Sequence, residues 1–446
     1  MKLKIIIALV LFSVKTVSAQ EKKWTLQECV EYALKNNLTV AQFELDFENA
    51  KIDKSDAIGN LLPNLNGDAR LTESLGLSFN PTSQEPVNSQ LNFTGNLNSS
   101  LTLFDGLRNI HRLNRAKLNA LANQYRLDDL KDDIRLNVAN SYLQILSNKE
   151  SLKVFEAQFS ITEQDLKRTK ELVDSGVVPK GDLLEIEATA ANQEQQTVNA
   201  KNAVIISKIS LAQLLQITDY DNFDVIDGAF EIPSSPVLSN TPKTIFNKAI
   251  SFRNDIKFSE SNVALAEKDL KITKGSLFPT LNAFINYNTR YSDQNLKSFT
   301  DLSTRPFTEQ LYRFDGVSYG FQLSVPIFNG FSTRNNIKRS KINVERVKVQ
   351  LKQDKLVLET NINQAYVDVN NSLKSYEAAE KTLEARKLAY QYSKERFNVG
   401  LMNAFNFSQA QSRVDNAEAE VIRTKYNYIF RLKVLEFYFG IPLTIN

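Results

Sequence analysis

Asn92-Phe93-Thr94-Gly95-Asn96-Leu97-Asn98-Ser99-Ser100-Leu101-Thr102-Leu103-Phe104-Asp105-Gly106 (residues 92–106) alternates apolar with polar side chains and stops at a glycine. The residues that follow, 107–175, contain neither glycine nor proline. The same order of events recurs at Val317-Ser318-Tyr319-Gly320-Phe321-Gln322-Leu323-Ser324-Val325-Pro326-Ile327-Phe328-Asn329-Gly330 (residues 317–330). There too the next stretch, 331–399, lacks both breakers. Period-two alternation predicts a strand with one dry face, and a long run without breakers predicts helix. The chain therefore passes from strand to very long helix twice.

The recurrence is a duplication. At an offset of 224, Phe104, Gly106, Arg115, Tyr142, Gly176 and Asn192 meet Phe328, Gly330, Arg339, Tyr366, Gly400 and Asn416. At an offset of 216, Thr25, Ala33, Pro63 and Leu65 meet Thr241, Ala249, Pro279 and Leu281. Two structural repeats result, 20–228 and 229–446. Each reads as a helix, a β-hairpin (about 64–105 and about 280–329) and a pair of long helices (about 107–217 and about 331–440). The second copy carries the longer hairpin loop, 291–316, against a shorter one near 79–90. The stretch 218–240 links the halves.

Thr25 and Glu28 have the spacing of a capping box, and Thr241-Pro242 that of an N-cap with proline at the first helical position. In the long helices Ile134, Val138, Tyr142, Ile145, Leu152 and Phe159 recur at steps of three, four and seven. Leu358, Ile362, Tyr366, Val369, Tyr376 and Leu383 repeat them, which predicts coiled-coil-like packing. Roughly 65 residues of helix extend roughly 100 Å, which demands similar neighbours alongside. Gly176 and Gly400 end the long helices as left-handed caps. The polar run Asn192-Gln193-Glu194-Gln195-Gln196 reads as a solvated face or as the lining of a water-filled tunnel.

Composition excludes several chemistries. The chain has 446 residues, one Cys and one His, so it has no disulfide framework and no multi-His metal site, and a His-dependent hydrolase is not expected. With 54 basic and 51 acidic residues it has no concentrated basic face for nucleic acid. Neither a cofactor nor a catalytic or metal site is expected. Lys2 and Lys4, an apolar run from Ile5 to Val14, and Val17-Ser18-Ala19 read as a signal peptide over 1–19. Its three lysines account for the net charge of +3. No later segment reaches the length of a transmembrane helix, so any membrane span must be made of strands.

Four such strands are legible. Leu65, Ala69, Leu71, Leu75 and Leu77 oppose Asn66, Asp68, Arg70, Thr72 and Ser74. Phe93, Leu97, Leu101 and Leu103 oppose Asn92, Asn96 and Asn98. Leu281, Ala283, Ile285, Tyr287 and Tyr291 oppose Asn282, Asn286, Asn288 and Arg290. Val317, Tyr319, Phe321, Leu323, Val325 and Ile327 oppose Ser318, Gln322 and Ser324. Each has about the length of a transmembrane β-strand. Four strands cannot close a barrel, and open edges are not tolerated in lipid. Eight strands, from two chains, enclose only their own side chains, so a conduit favours three chains or more.

This layout resembles the TolC-type outer-membrane efflux protein family. The resemblance rests on the strand starts Leu62-Pro63 and Phe278-Pro279 and on the exits Leu103-Phe104-Asp105-Gly106 and Ile327-Phe328-Asn329-Gly330. The turns Val173-Asp174-Ser175-Gly176-Val177 and Phe397-Asn398-Val399-Gly400-Leu401 complete it. It implies a mainly α fold with transmembrane β: a homotrimer with a 12-stranded barrel in the outer membrane of a Gram-negative bacterium and a periplasmic α-helical tunnel. The barrel would meet outer-membrane lipid, with Asn92, Asn96, Asn98, Asn282, Asn286, Arg290 and Gln322 facing its lumen. The resemblance further implies a passive exit duct docked to a periplasmic adaptor and an inner-membrane pump. Helix tips at Ser175, Gly176, Val177, Val399, Gly400 and Leu401 would meet the adaptor.

Carried over residue by residue, the periplasmic entrance falls on Asp182, Glu185, Met402, Asn406 and Gln409. Asp182 matches a family aspartate. Asn406 and Gln409 stand where the best-known member has two acidic residues, and Met402 where it has a locking arginine. Asp182 and Glu185 have a second reading as N-cap and first-turn acids of their helix. The competing function is a periplasmic coiled-coil scaffold or adhesin without a conduit.

Overall fold

A computed structural model describes residues 23–80, 85–227, 232, 235–298, 301 and 303–442. The export segment expected at 1–19 lies outside the described residues. In chain order the elements are β1 (Lys23–Trp24), α1 (Leu26–Asn36), α2 (Leu38–Gly59), β2 (Asn64–Asn80), β3 (Glu85–Phe104), α3 (Arg108–Asp174) and α4 (Lys180–Leu214). β4 (Asp224–Val225) and a 3-10 turn, Pro236–Ser239, lead to α5 (Pro242–Phe252) and α6 (Asn254–Gly275). β5 (Thr280–Ser292), α7 (Phe307–Arg313), β6 (Gly316–Ser324), α8 (Ser332–Asn398) and α9 (Ala404–Phe439) complete the chain. α3 and α8 each have 67 residues and begin 224 positions apart, and α1 and α5 begin 216 apart. The element bounds thus repeat at the offsets carried by the sequence. No helix among the described residues is long and apolar enough to cross a membrane.

Local chemistry sets these bounds. The Thr25–Glu28 capping box forms, and the Thr241 side chain caps α5 with Pro242 behind it. Asn37 separates α1 from α2, a break that the breaker pattern does not announce. Its Oδ1 accepts from the Thr39 and Val40 amides at 2.9 and 3.3 Å and so starts α2, while its backbone amide donates to the Ala33 carbonyl and closes α1. Arg253 holds the equivalent position in the second copy. Each strand exit turns through two successive left-handed residues, Gly106 and Leu107 (φ 71° and 64°), then Gly330 and Phe331 (φ 60° and 63°). Asp105 Oδ2 accepts from the Asn109 amide at 3.0 Å and opens α3.

The chain divides into two compact units, each drawing on both repeats. One comprises the described residues of 1–44, 127–254 and 355–446. Its core joins Leu26, Cys29 and Ala33 of α1 to Ile134, Val138, Tyr142 and Ile145 of α3, Leu211 of α4 and Ile429 of α9. The predicted stripe is buried there and becomes half-buried at Leu152 and Phe159. β1 pairs in parallel with β4, and Lys149 and Lys208 bridge to Asp224.

The other unit comprises the described residues of 45–126 and 255–354. It holds a four-stranded antiparallel sheet in the order β2-β3-β5-β6. Three strand readings need correction. Alternation read through Leu77 breaks between Leu75 and Ser78, where Gly76 has φ 132° and a bulge shifts the register. The last strand, read to Ile327, ends at Ser324, because Pro326 has no amide to donate to the ladder. The first hairpin loop, read near 79–90, is shorter, since Phe79 pairs with Pro86 and Asn80 with Glu85. The longer loop contains α7. Gln310 there is fully buried, donating to the Ser292 and Arg305 carbonyls and accepting from the Ser292 amide.

Candidate functional site

The sheet register gathers the polar side chains on one face. Asp68 pairs with Asn96, Asn66 with Asn98 and Thr72 with Asn92. Across the next ladder Asn98 pairs with Asn286 and Thr102 with Asn282, and Asn282 in turn pairs with Gln322. Directly opposed residues of a sheet point to the same side. Asn92, Asn96, Asn98, Asn282, Asn286, Arg290 and Gln322 therefore share one face, the set expected from alternation. Asn96 Nδ2 and Asn98 Nδ2 both donate to the Asp68 carboxylate, at 2.8 and 3.4 Å. Leu71, Leu97, Ile285, Tyr319, Phe321 and Leu323 lie on the opposite face and are exposed. Phe284 is an exception on the polar side. It pairs with Gly320, which has no side chain to meet its ring.

In the sheet-bearing unit the two repeats join along the sheet. β3 pairs with β5, and the turn at Gly106 packs on the end of α6. A Cβ added to Gly106 would lie 2.3 Å from the Gly275 carbonyl oxygen, so only glycine fits. The repeat-related positions are Gly330 and Gly59. A Cβ at either meets nothing within 4 Å. The outer edges of β2 and β6 are likewise unpaired among the described residues.

Two helix tips form the second part of the site. Val177 N donates to Leu172 O and Gly176 N to Val173 O; Leu401 N donates to Arg396 O and Gly400 N to Phe397 O. This pair of hydrogen bonds around a left-handed residue, φ 73° at Gly176 and 75° at Gly400, is the Schellman closure of a helix. Asn403 caps α9 through the Asn406 amide, and the Phe397 and Phe407 rings stack at 4.6 Å. Both tips line one cavity of about 740 Å³.

Of the sequence-derived tip residues, Asp182, Met402, Val177, Val399, Gly400 and Leu401 line that cavity. Ser175, Gly176, Glu185, Asn406 and Gln409 are not among its lining residues. Asp182 is a first-turn acid and not the N-cap, a position held by Pro179. Asp165, Arg168 and Lys394 also line the cavity and were not singled out by sequence reasoning. Burial raises the Asp165 carboxyl, opposed by Lys394 and Arg168. The polar run at 192–196 is not uniformly solvated. Gln193 is buried and donates to Asp415 of α9 at 2.8 Å, and Gln411 donates to Thr162 of α3 at 2.8 Å. Asp415 was missed because the repeat places Ala191 at its equivalent position, so duplication offered no signal.

The family model described as outer membrane efflux protein matches residues 30–215 and 245–440. Toxin and drug export protein A of Aggregatibacter actinomycetemcomitans is 23% identical over 420 residues, covering 91% of this chain and 83% of that protein. Outer membrane protein TolC of Escherichia coli is 22% identical over 303 residues, covering 66% of this chain and 58% of that protein. Among solved structures, the Campylobacter jejuni CmeC outer membrane channel superposes with a TM-score of 0.80 at 17% identity. That match covers 93% of this chain and 85% of the channel.

Proposed function

The chain belongs to the outer membrane efflux protein family, and on that premise we propose that it is the outer-membrane exit duct of an efflux system in a Gram-negative bacterium, passively conducting substrates outward. The observation that carries the reading is the unfinished sheet. Inside the chain, repeat one joins repeat two through β3 on β5 and Gly106 on Gly275. The same junction from repeat two back to repeat one needs β6 on β2 and Gly330 on Gly59, and within one chain neither forms. A neighbouring copy supplies both, and repetition of that contact closes a ring. Three copies give a barrel of twelve strands, wide enough to conduct.

Exposed apolar residues at heptad steps support the same assembly. Leu38, Leu45 and Ile52 on α2 and Ile342, Val349 and Leu356 on α8 are all exposed in a single chain. Such stripes seek a helical partner. The apolar strand face meets outer-membrane lipid, and the polar face, with Asn92, Asn96, Asn98, Asn282, Asn286, Arg290 and Gln322, lines the lumen. The tips around Ser175, Gly176, Val177, Val399, Gly400 and Leu401 dock a periplasmic adaptor, which links the duct to an inner-membrane pump. Asp182, Glu185, Met402, Asn406 and Gln409 border the entrance. The chain has no phosphate-binding loop of the G-x-x-x-x-G-K-[ST] kind, so a partner provides the energy.

Extraction and conductance test the reading together. Detergent, and not salt, should release the protein from envelopes. Purified protein should be trimeric by native mass spectrometry and should add stepwise conductance to planar bilayers. Release by salt alone, or trimers that never conduct, would favour the scaffold reading instead.

A further inference from the structure

The helix interior near the tips holds polar groups that conduction does not use. Asp415 on α9 is 3% exposed and Gln193 on α4 is 4% exposed. Gln193 Nε2 donates to Asp415 Oδ2 at 2.8 Å. The second oxygen of each group, Asp415 Oδ1 and Gln193 Oε1, is buried without a hydrogen-bond partner. Two acceptors on one acid–amide pair thus lose their hydration and gain nothing. A single hydrogen would correct both. A neutral carboxyl carries one O–H donor. With the proton on Oδ1, the acid donates to Gln193 Oε1 while Gln193 Nε2 still donates to Oδ2, closing a ring of two hydrogen bonds.

We propose that Asp415 and Gln193 form a proton-binding site, doubly hydrogen-bonded when loaded, and that emptying it loosens the packing of α9 on α4. The proton comes from solvent, and no other group changes. The surroundings favour the neutral acid. From α9 itself, Glu418 adds a like charge, and it is already held by Lys387 of α8 at 2.7 Å and by Gln158 of α3 at 3.2 Å. α8 also presents Tyr390, whose hydroxyl feels both Asp165 and Asp415, and Lys394, which acts on Asp165. α3 presents Asp165, whose Oδ2 is buried without a partner. The Gln193 amide and the backbone amide of Asp415 itself favour the charged form, and among the described residues no cation pairs with the Asp415 carboxylate. Burial raises the Asp415 carboxyl to about 6, with the Gln193 bond opposing and the Glu418 charge adding.

The direction follows from linkage. The folded state holds this proton more tightly than the unfolded chain, so stability falls as pH rises from 3.8 to about 6 and stays low above that. Across that window the helix-opening equilibrium should rise by about a hundredfold.

Infrared spectroscopy on the full-length protein in detergent gives the direct test. Wild type should show a buried neutral carboxyl band at about pH 5 that is lost by about pH 8. Asp415→Asn should lack the band and Asp165→Asn should retain it. Hydrogen exchange gives the second readout. After correction for intrinsic rates, amides of 189–197 and 411–418 should exchange about tenfold or more faster at the higher pH in wild type. Asp415→Asn, whose amide–amide ring needs no proton, should lose that pH dependence. If Asp415→Asn does not assemble, Gln193→Met decides: it removes both ring partners, so the neutral carboxyl band should move to higher wavenumber, and an unmoved band would overturn the proposal. Absence of the band at about pH 5, its loss in Asp165→Asn, or unchanged pH dependence in Asp415→Asn would overturn the proposal.

Discussion

Glycines that look equivalent in the sequence differ in what surrounds them. Gly106 touches the Gly275 backbone, whereas Gly330 has open space at the same point of the repeat. In an isolated chain Gly330→Ala costs only its left-handed backbone, about 1 kcal/mol. In the ring it would meet the Gly59 turn of the next copy. Gly330→Ala should therefore leave secondary structure intact by circular dichroism and lower the trimer fraction on native gels. Gly106→Ala should prevent folding itself. At Gly400 the space is open but φ is 75°, so a β-branched residue strains the tip by about 1–3 kcal/mol. Gly400→Val should reduce efflux or adaptor cross-linking while barrel assembly persists; full efflux with unchanged stability would refute this. Two aspartates titrate in opposite senses. Burial would raise Asp227, but hydrogen bonds from Lys149 and Lys23 outweigh it and hold the carboxyl at about 2. Its contribution is present above the usual carboxylate range and is lost as pH falls toward about 2. Protection of the Ile226 amide, which donates to the Trp24 carbonyl at 3.0 Å, should therefore weaken on acidification, while the Asp415 region tightens.

At the scale of elements, the duplication makes the interchain register a prediction. Within the chain Thr94 stands opposite Arg290. Adding 224 to the first and subtracting 216 from the second places Ser318 of β6 opposite Ser74 of a neighbour's β2. Both are exposed and both lie on the polar face. The double variant Ser74→Cys, Ser318→Cys should cross-link between chains under mild oxidation and give a ladder ending at three. The native Cys29 is buried and should stay silent. A Ser74→Cys, Tyr319→Cys pair, one residue out of register, should cross-link poorly. Helices and caps were legible because their signals are local: Thr25, Thr241, Gly176 and Gly400 each act within one turn. The alternation at 92–102 and 280–292 was legible for the same reason. The errors fell where one residue changes long-range pairing. The bulge at Gly76, the end of β6 before Pro326 and the Gln310 lock of α7 depend on partners in other strands.

For the molecule as a whole, the charge around the tip cavity bears on the proposed entrance. It is lined by two acids, Asp165 and Asp182, and two bases, Arg168 and Lys394, while residues 402–409 carry no charge. Balanced charge gives little cation focusing. Single-channel recordings should show weak cation preference and no tight block by divalent ions. Tight block abolished by Asp182→Asn would instead assign an acidic ring to that residue.

The sequence by itself determined the duplication, the period of each element, the helix caps and the polar and apolar faces of the strands. The last three follow from spacing and backbone preference within about one turn or one hairpin, and the duplication from recurrence at a fixed offset. Only the tertiary structure decided which contacts are completed within the chain and which remain open. Gly106 meets Gly275 whereas Gly330 meets nothing, and Gln193 turns inward against Asp415 although its neighbours face solvent. The physical reason is that identical repeats carry identical local signals. Which copy finds its partner, and which polar side chain loses its water, is set by chain connectivity and packing across long sequence separations.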